Sequence, residues 1–166
     1  PATGFLSDVV DGPNGDDSAI RPNQIIAVAL DRGLLEPDRA AQVVAVVERE
    51  LLTPVGLRSL ARGHPEYVAT YAGSPQQRDG AYHQGPVWSW LLGPFVHAKL
   101  AIGGSAADLD PLLNAMHQHL EEGAIGNVSE ILQPEAPFQP DGAFAQAWGV
   151  GEWLRALQTI QSARHA

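Results

Sequence analysis

The spacing of apolar residues along the 166-residue chain separates helical stretches from long irregular ones. From Pro37 to Leu52, Ala40, Val43, Val44, Val47 and Leu51 fall on one stripe at helical spacing, with Arg39, Gln42, Glu48 and Arg49 mostly elsewhere. That stripe predicts an amphipathic helix whose task is packing. Ala106 to Glu122 repeats the pattern through Leu109, Leu112, Leu113, Met116 and Leu120, and a last helix is predicted from Ala143 to Ser162 on Phe144, Trp148, Leu154 and Leu157. Two further starts are marked by proline, which suits a first turn because the N–H it lacks has no helical partner there. One lies near Pro22 and runs through IIAVAL to Arg32 or Gly33. The other begins at Gly85 or Pro86 and continues through VWSWLLGPFVHAKLAIG, with a kink expected at Pro94.

Between these stretches Gly and Pro break the pattern. Pro1 to Asn14 is expected to be an irregular entry or a short strand. Thr53 to Ser74 carries Pro54, Gly56, Gly63, Pro65 and Gly73 and is expected to be a long loop, with a short extended piece at Leu57 to Leu60. Gly123 to Gly142 is a second long loop, and no internal repeat is visible. The sum is an all-α expectation: about five helices joined by long loops, of the kind that carry function on a rigid scaffold.

Composition narrows the partners. The length is that of one domain able to bury a real core. A formal charge of -9, from ten Lys plus Arg against nineteen Asp plus Glu, argues against nucleic acid or an anionic membrane as partner and leaves a neutral glycan unaffected. Cysteine is absent, which removes disulfides, thiolate metal sites and a thiol nucleophile, and fits a reducing cytoplasm. Apolar runs are broken within about ten residues, short of the ~20 a membrane span needs, and no signal-peptide pattern is present. The first residue is Pro1 rather than Met, so a processed chain or a piece of a longer one is expected.

Candidate chemistry is densest from Asp79 to Trp90, DGAYHQGPVWSW. Aromatic faces beside groups that donate and accept hydrogen bonds suit a sugar ring, with its apolar C–H patches and many hydroxyls. The same residues also read as a buried helix start, since Trp88 precedes Leu91 and Leu92 by helical spacings. Asp8, Asp11, Asp16 and Asp17 invite a calcium reading, but they lack the spacing of a twelve-residue EF-hand loop and are expected to favour the positive end of the next helix. His97 is expected in the core or between helices. His117 and His119, two apart on a helix and so about 200° apart, are expected at the surface, and no metal site is predicted.

Five fragments in order, RPNQ (Arg21 to Gln24), TPVGLRSL (Thr53 to Leu60), RDGAYHQGPVW (Arg78 to Trp88), NVSEI (Asn127 to Ile131) and AQAWGVGEWLRAL (Ala145 to Leu157), resemble the C-terminal part of glycogen debranching enzymes, their amylo-α-1,6-glucosidase domain. The resemblance covers nearly the whole chain. It implies a single domain over residues 1–166 forming the later half of an (α/α)6 toroid, upstream helices absent, with loops at one end making the active site. It implies hydrolysis of the α-1,6-linked glucose stub at a branch by an inverting mechanism, without metal or organic cofactor, on α-glucans such as glycogen, limit dextrin and malto-oligosaccharide. Exposed helix faces left by the missing part would favour self-association.

Hydrolysis of a glycosidic bond uses two carboxyl groups on opposite sides of the bond. Glu130 follows Ser129 in a loop and is not explained as a solvated helix face; by the resemblance it is the general base. The family's general acid is an aspartate in an upstream motif with no counterpart here, so the chain is expected to be inactive alone. Asp79 could serve as acid, but beside Tyr82, His83 and Gln84 it better suits contacts to glucose hydroxyls. By the resemblance Arg21, Asn23 and Gln24 line the cleft, the plainer reading being ordinary capping. Trp88 and Trp148 are candidates for the ring-stacking floor and Gln146 for a hydroxyl contact, while Trp90 and Trp153 are expected between helices. The family pattern has threonine, proline and cysteine where this chain has Pro86, Ser89 and Ala143, and Pro86 bears on the helix start. The alternatives are a non-catalytic glycan-binding or interaction chain, and another α-glucosidase on the same helical toroid.

Overall fold

The apolar stripes become helices. In the computed structural model, which describes residues 4–30 and 33–165, α1 spans Asn23–Leu30, α2 Pro37–Glu50, α3 Pro75–Ala81, α4 Leu92–Ala101, α5 Asp110–His119 and α6 Ala147–Arg164. The predicted end of the first helix at Arg32 and the start of the predicted entry at Pro1 lie outside the described residues. On α2, Val43, Val44 and Val47 are fully buried, as their stripe requires. Helix α3 was not expected. Its start is a capping box: Ser74 Oγ accepts from the Gln77 N–H at 3.3 Å while Gln77 Oε1 accepts from the Ser74 N–H at 2.7 Å, with Pro75 next in the first turn.

The all-α expectation is wrong, and the all-helical toroid falls with it. Among the described residues the six α-helices are accompanied by two antiparallel sheets, of two and five strands. A hairpin joins β1 (Val9–Gly12) to β2 (Gly15–Asp17). The larger sheet runs in the order β3 (Leu52–Thr53), β4 (Gly56–Arg58), β5 (Val87–Trp88), β6 (Ile131–Leu132), β7 (Pro140–Asp141). Its strands are two or three residues long, too short to show an alternating pattern, and the central pairings join distant loops: Leu57 faces Trp88 and Arg58 faces Val87, then Trp88 faces Ile131 and Val87 faces Leu132. Backbone pairing of buried loop segments, invisible to local periodicity, overturned the helical reading.

The same pairing moved a helix start. Val87 and Trp88 are extended, Ser89–Leu91 is a 3-10 turn, and α4 begins only at Leu92. Pro94 therefore sits in the first turn of α4, where its missing N–H breaks no ladder bond. Likewise α6 begins at Ala147 rather than Ala143, because the Ala143 backbone pairs with Glu130 instead. The acids near the start mostly serve the hairpin. Asp16 accepts from the Asp11 N–H and Asp17 from the Ala19 N–H, at 2.9 and 2.8 Å, while Asp8 meets Asn23 at the start of α1.

Helices and sheet share one core. Ile25, Val47, Phe95, Met116 and Ile160 from the helices pack in a single cluster with Leu57, Val87, Ile131 and Leu132 from the sheet. Helix α4 lies against α1 and α6, and His97 Nε2 sits 2.9 Å from Thr159 Oγ1 across the second contact, as expected of an interhelix histidine. The other histidines divide. His117 is exposed, whereas His119 is 1% exposed, correcting its predicted surface placement. The two do point to opposite faces; the His119 face is covered by the loop that carries Val128 and Ser129, with Ser129 N–H donating to His119 Nε2 at 3.1 Å.

Two outcomes follow from this packing. A Cβ on Gly149, in the first turn of α6, would lie 2.8 Å from Ser89 Oγ and 2.9 Å from Val128 Cγ1. Gly149→Ala is therefore expected to cost about 1–3 kcal/mol by overpacking, read from urea melts; an unchanged or raised midpoint would contradict this contact. Burial holds the folded-state value of His119 below its ordinary 6.5 and outweighs the upward pull of Glu122. The unfolded chain thus takes up this proton at higher pH than the folded one, so the group's contribution is full above about pH 6.5 and is lost as pH falls through the lowered value. Wild type should lose more stability between pH 7 and pH 5 than His119→Gln does, and parallel losses would rule the effect out.

Candidate active site

The sheet decides which side chains meet. Strand β6 carries Glu130 immediately before it, and β5 carries Trp88 opposite Ile131. Glu130 is fixed at backbone and side chain alike. Its N–H donates to Ala143 O at 2.9 Å, and the Ala143 N–H returns to Glu130 Oε2 at 2.9 Å. Glu130 Oε1 accepts a short hydrogen bond from the Tyr82 hydroxyl. Burial, and then the adjacent Glu130 carboxylate, push the Tyr82 hydroxyl far above its ordinary value, so it remains a donor at neutral pH. Space for this loop depends on Gly142: its φ of 68° favours glycine, and a Cβ there would stand 2.6 Å from Glu130 Oε2.

Tyr82 connects two concavities. On one side, Glu130 and Tyr82 line a cleft of about 260 Å³ with Tyr71, Arg78 and Asp79. On the other, Tyr82 packs edge-on against Trp88 and His83, at ring separations of 4.8 and 4.9 Å, and those two line a cavity of about 370 Å³ with Arg21, Asn23, Trp90 and Trp148. The larger volume is within the range of small-ligand sites. The predicted residues are thus divided: Glu130, Asp79 and Tyr82 border the smaller space, and Arg21, Asn23, His83, Trp88 and Trp148 the larger.

The aromatic residues differ in what they offer. Trp88 is only 8% exposed; His83 covers it in a stacked pair 5.1 Å apart, and its Nε1 donates to Tyr82 O at 3.3 Å. Burial and the nearby Arg21 charge lower the His83 value, leaving a neutral ring at pH 7. Trp148, by contrast, is 55% exposed and stacks on Trp90 at 4.0 Å, so it presents a supported indole to the larger cavity. Trp90, expected between helices, instead lines that cavity, while Trp153 is buried.

Several polar candidates are already engaged. Arg21 donates to Ser59 O, His83 O and Gln84 Oε1 at 3.1, 2.7 and 2.8 Å and pairs with Asp8. Gln24 is buried, accepts from the Leu6 N–H and donates to Arg21 O, which leaves it little to offer a ligand. Asn23 is exposed and donates to Asp8. Gln84 also reaches Glu66 at 3.4 Å. Gln146 differs: its backbone N–H donates to Val128 O, yet its Oε1 is buried without a hydrogen-bond partner among the described residues.

The residues missed from sequence are Trp90, Ser59, Tyr71 and Arg78, all of which line one of the two spaces. The S-P-Q-Q capping signal before α3 could have revealed how Asp79 and Tyr82 are delivered. A third group, outside both spaces, joins Glu135 to Arg62 and to the Tyr67 hydroxyl. Desolvation pushes the Glu135 carboxyl up, but the bonds from Tyr67 and Arg62 and the charges of Arg62 and Arg58 outweigh it and hold it below its usual value. Among the described residues no group of three or more His, Asp or Glu side chains is arranged to hold a metal ion, and no helix is long and apolar enough to cross a membrane.

Comparison with known proteins agrees with the motifs. The glycogen debranching enzyme of Saccharomyces cerevisiae is 34% identical over 89 residues, which is 50% of this chain and 6% of that protein. A crystal structure of an uncharacterized conserved protein from Thermus thermophilus matches with a TM-score of 0.62 and 19% identity, over 97% of this chain and 35% of that one, a likeness of fold. The chain thus spans about a third of that solved structure and a small fraction of the yeast enzyme. The family model described as amylo-alpha-1,6-glucosidase matches residues 1–155, and the chain belongs to that family.

Proposed function

We propose that this chain is the C-terminal portion of a debranching glucosidase and supplies the general base and part of the sugar-binding surface for hydrolysis of α-1,6-linked glucose stubs on glycogen or limit dextrin. The observation that carries the reading is the Glu130 carboxylate, held at one oxygen by Tyr82 and at the other by the Ala143 N–H in a cleft shared with Asp79. One donor per oxygen fixes orientation and leaves each oxygen a further lone pair for a water. In an inverting reaction that water attacks the anomeric carbon while Glu130 takes its proton, and a second carboxyl group roughly 6.5–9.5 Å away protonates the leaving oxygen. Tyr82, remaining protonated, orients the base and is not itself the base.

In this reading a sugar ring of the glucan rests on Trp148, the exposed member of the Trp90–Trp148 pair. Arg21 and Gln84 shape the cleft by fixing its backbone. Asp79, exposed beside Tyr82, contacts hydroxyls rather than serving as the acid. The aspartate motif that supplies the acid in the resembling enzymes has no counterpart in these 166 residues, so the isolated chain is expected to bind and not to hydrolyse.

The test uses limit dextrin with three proteins: the full-length protein carrying this sequence, its Glu130→Gln variant, and the 166-residue chain alone. Loss of general-base help should lower kcat by about 10²–10⁴-fold with KM nearly unchanged. Near-normal turnover in the variant would remove Glu130 from the chemistry; robust glucose release by the isolated chain would promote Asp79 to the acid. The two tryptophans should separate in the same full-length protein. Trp148→Ala should weaken malto-oligosaccharide binding with the melting temperature nearly fixed, whereas Trp88→Ala should destabilise by about 3–5 kcal/mol. The opposite pattern would exchange their roles.

A further inference from the structure

The segment just before Glu130 is held from a helix that contributes nothing else to the cleft. His119 closes α5 and is 1% exposed. Its Nε2 accepts the Ser129 N–H at 3.1 Å. The carbonyl of Ser129 is in turn held by Ser89 Oγ, which donates at 2.8 Å, and the next N–H, that of Glu130, donates to Ala143 O at 2.9 Å. Three successive polar groups of the backbone leading into Glu130 are therefore each tied to a different part of the chain: α5, the turn after β5, and the loop before α6.

The two partners of Ser129, His119 and Ser89, are buried with it, away from water. Ser129 is buried, Val128 before it is fully buried, and the His119 ring lies beneath them. To accept from Ser129, the ring must be neutral with its proton on Nδ1. Burial favours that neutral form. Nδ1 lies 3.6 Å from Glu122 Oε2, too long for a hydrogen bond but near enough for the carboxylate to favour a proton on that nitrogen. A ring carrying hydrogen on Nε2 would set two donors against each other at Ser129.

We propose that His119 is a positioning residue for the glucosidase reaction, fixing the Ser129 peptide and through it the direction in which Glu130 presents its carboxylate. The proposal rests on Glu130 being the base, and the experiment separates the two. In the full-length protein, Glu130→Gln, His119→Leu and His119→Gln are compared on limit dextrin. Leucine fills the space without an acceptor; glutamine returns an oxygen near the position of Nε2. Both lose the approach to Glu122, so the difference between them reads the bond to Ser129. His119→Leu should lower kcat roughly ten- to a hundredfold with KM nearly unchanged, since small misplacements of catalytic groups have effects of that size. His119→Gln should stay within about threefold of wild type. Equal kcat in the two His119 variants, with Glu130→Gln inactive, overturns the positioning role and leaves the base intact; normal kcat in Glu130→Gln overturns the base. Should the leucine variant not fold, the wild-type 166-residue chain provides the second measurement, a nitrogen–proton NMR correlation of the His119 ring at neutral pH. An unprotonated Nε2 coupled across the bond to the Ser129 amide supports the proposal, and a proton on Nε2 overturns it.

Discussion

The ladder that runs from β4 through β5 to β6 is the constraint on which the rest of the site depends. It joins three loops that sequence keeps far apart, and its register is set by four residue pairs. Each hydrogen bond contributes only about 0.5–1.5 kcal/mol net, less than the closure entropy of long loops would ask of so short a sheet. What stabilises it is burial. Leu57, Val87, Ile131 and Leu132 are all fully buried, and because neighbours such as Ile131 and Leu132 lie on opposite faces, both faces are packed; slipping the register by one residue would exchange the side chains fitted to each face. With the register fixed, Ser59 falls beside the turn at Gly85, accepting its N–H at 2.9 Å, and Glu130 reaches Tyr82.

Arg21 extends this order to the opposite wall. Its planar guanidinium donates to two carbonyls and one amide oxygen on two separate segments, and faces Asp8 at 3.5 Å. A fork of fixed donors suits this task better than a single ammonium. The consequence for function is indirect: the start of α1, the Ser59 strand end and the His83–Gln84 turn are tied together through one side chain. Arg21 thus clamps the cleft backbone while also lining the larger cavity.

Helices were legible where one stripe of apolar residues ran for three or four turns, as in α2 and α5. The crowding of aromatic and polar types from Asp79 to Trp90 marked a stretch whose Asp79, Tyr82, His83 and Trp88 do line the two spaces. Of the larger sheet only the extended piece expected at Leu57 to Leu60, beside β4, was legible, because strands of two or three residues carry no period and the pairing of β4, β5 and β6 is set by tertiary contact. That one gap displaced the start of α4 and hid Trp90, whose direction depends on Val87 and Trp88 being extended. His119 was misjudged for a related reason. Its direction on the helix followed from spacing, but that its face would be covered by the Ser129 loop depended on the fold of a segment with no pattern of its own. The sugar-facing role given to Gln24 met a different obstacle: both ends of its amide are paired within the chain.

The three departures from the family pattern can be weighed on the same grounds. Ala143 stands where the resemblance implies cysteine, yet what reaches Glu130 from this position is the backbone: the Ala143 carbonyl accepts from the Glu130 N–H and the Ala143 N–H donates to its carboxylate. A side chain exchanged there leaves both bonds available. Pro86 lacks an N–H but contributes its carbonyl to the Ser59 N–H at 3.0 Å, and the residue before it, Gly85, lies outside the helix. Its effect on the helix start is therefore nil, since the chain there is extended, as proline prefers. Ser89 is the departure with an effect. A proline at that position has no hydroxyl for the Ser129 carbonyl, whereas this chain adds a buried bond of 2.8 Å to the segment preceding the carboxylate. The same hydroxyl lies against Gly149, where even a methyl group would meet it, so the serine, the glycine of α6 and the Ser129 peptide form one mutually dependent contact.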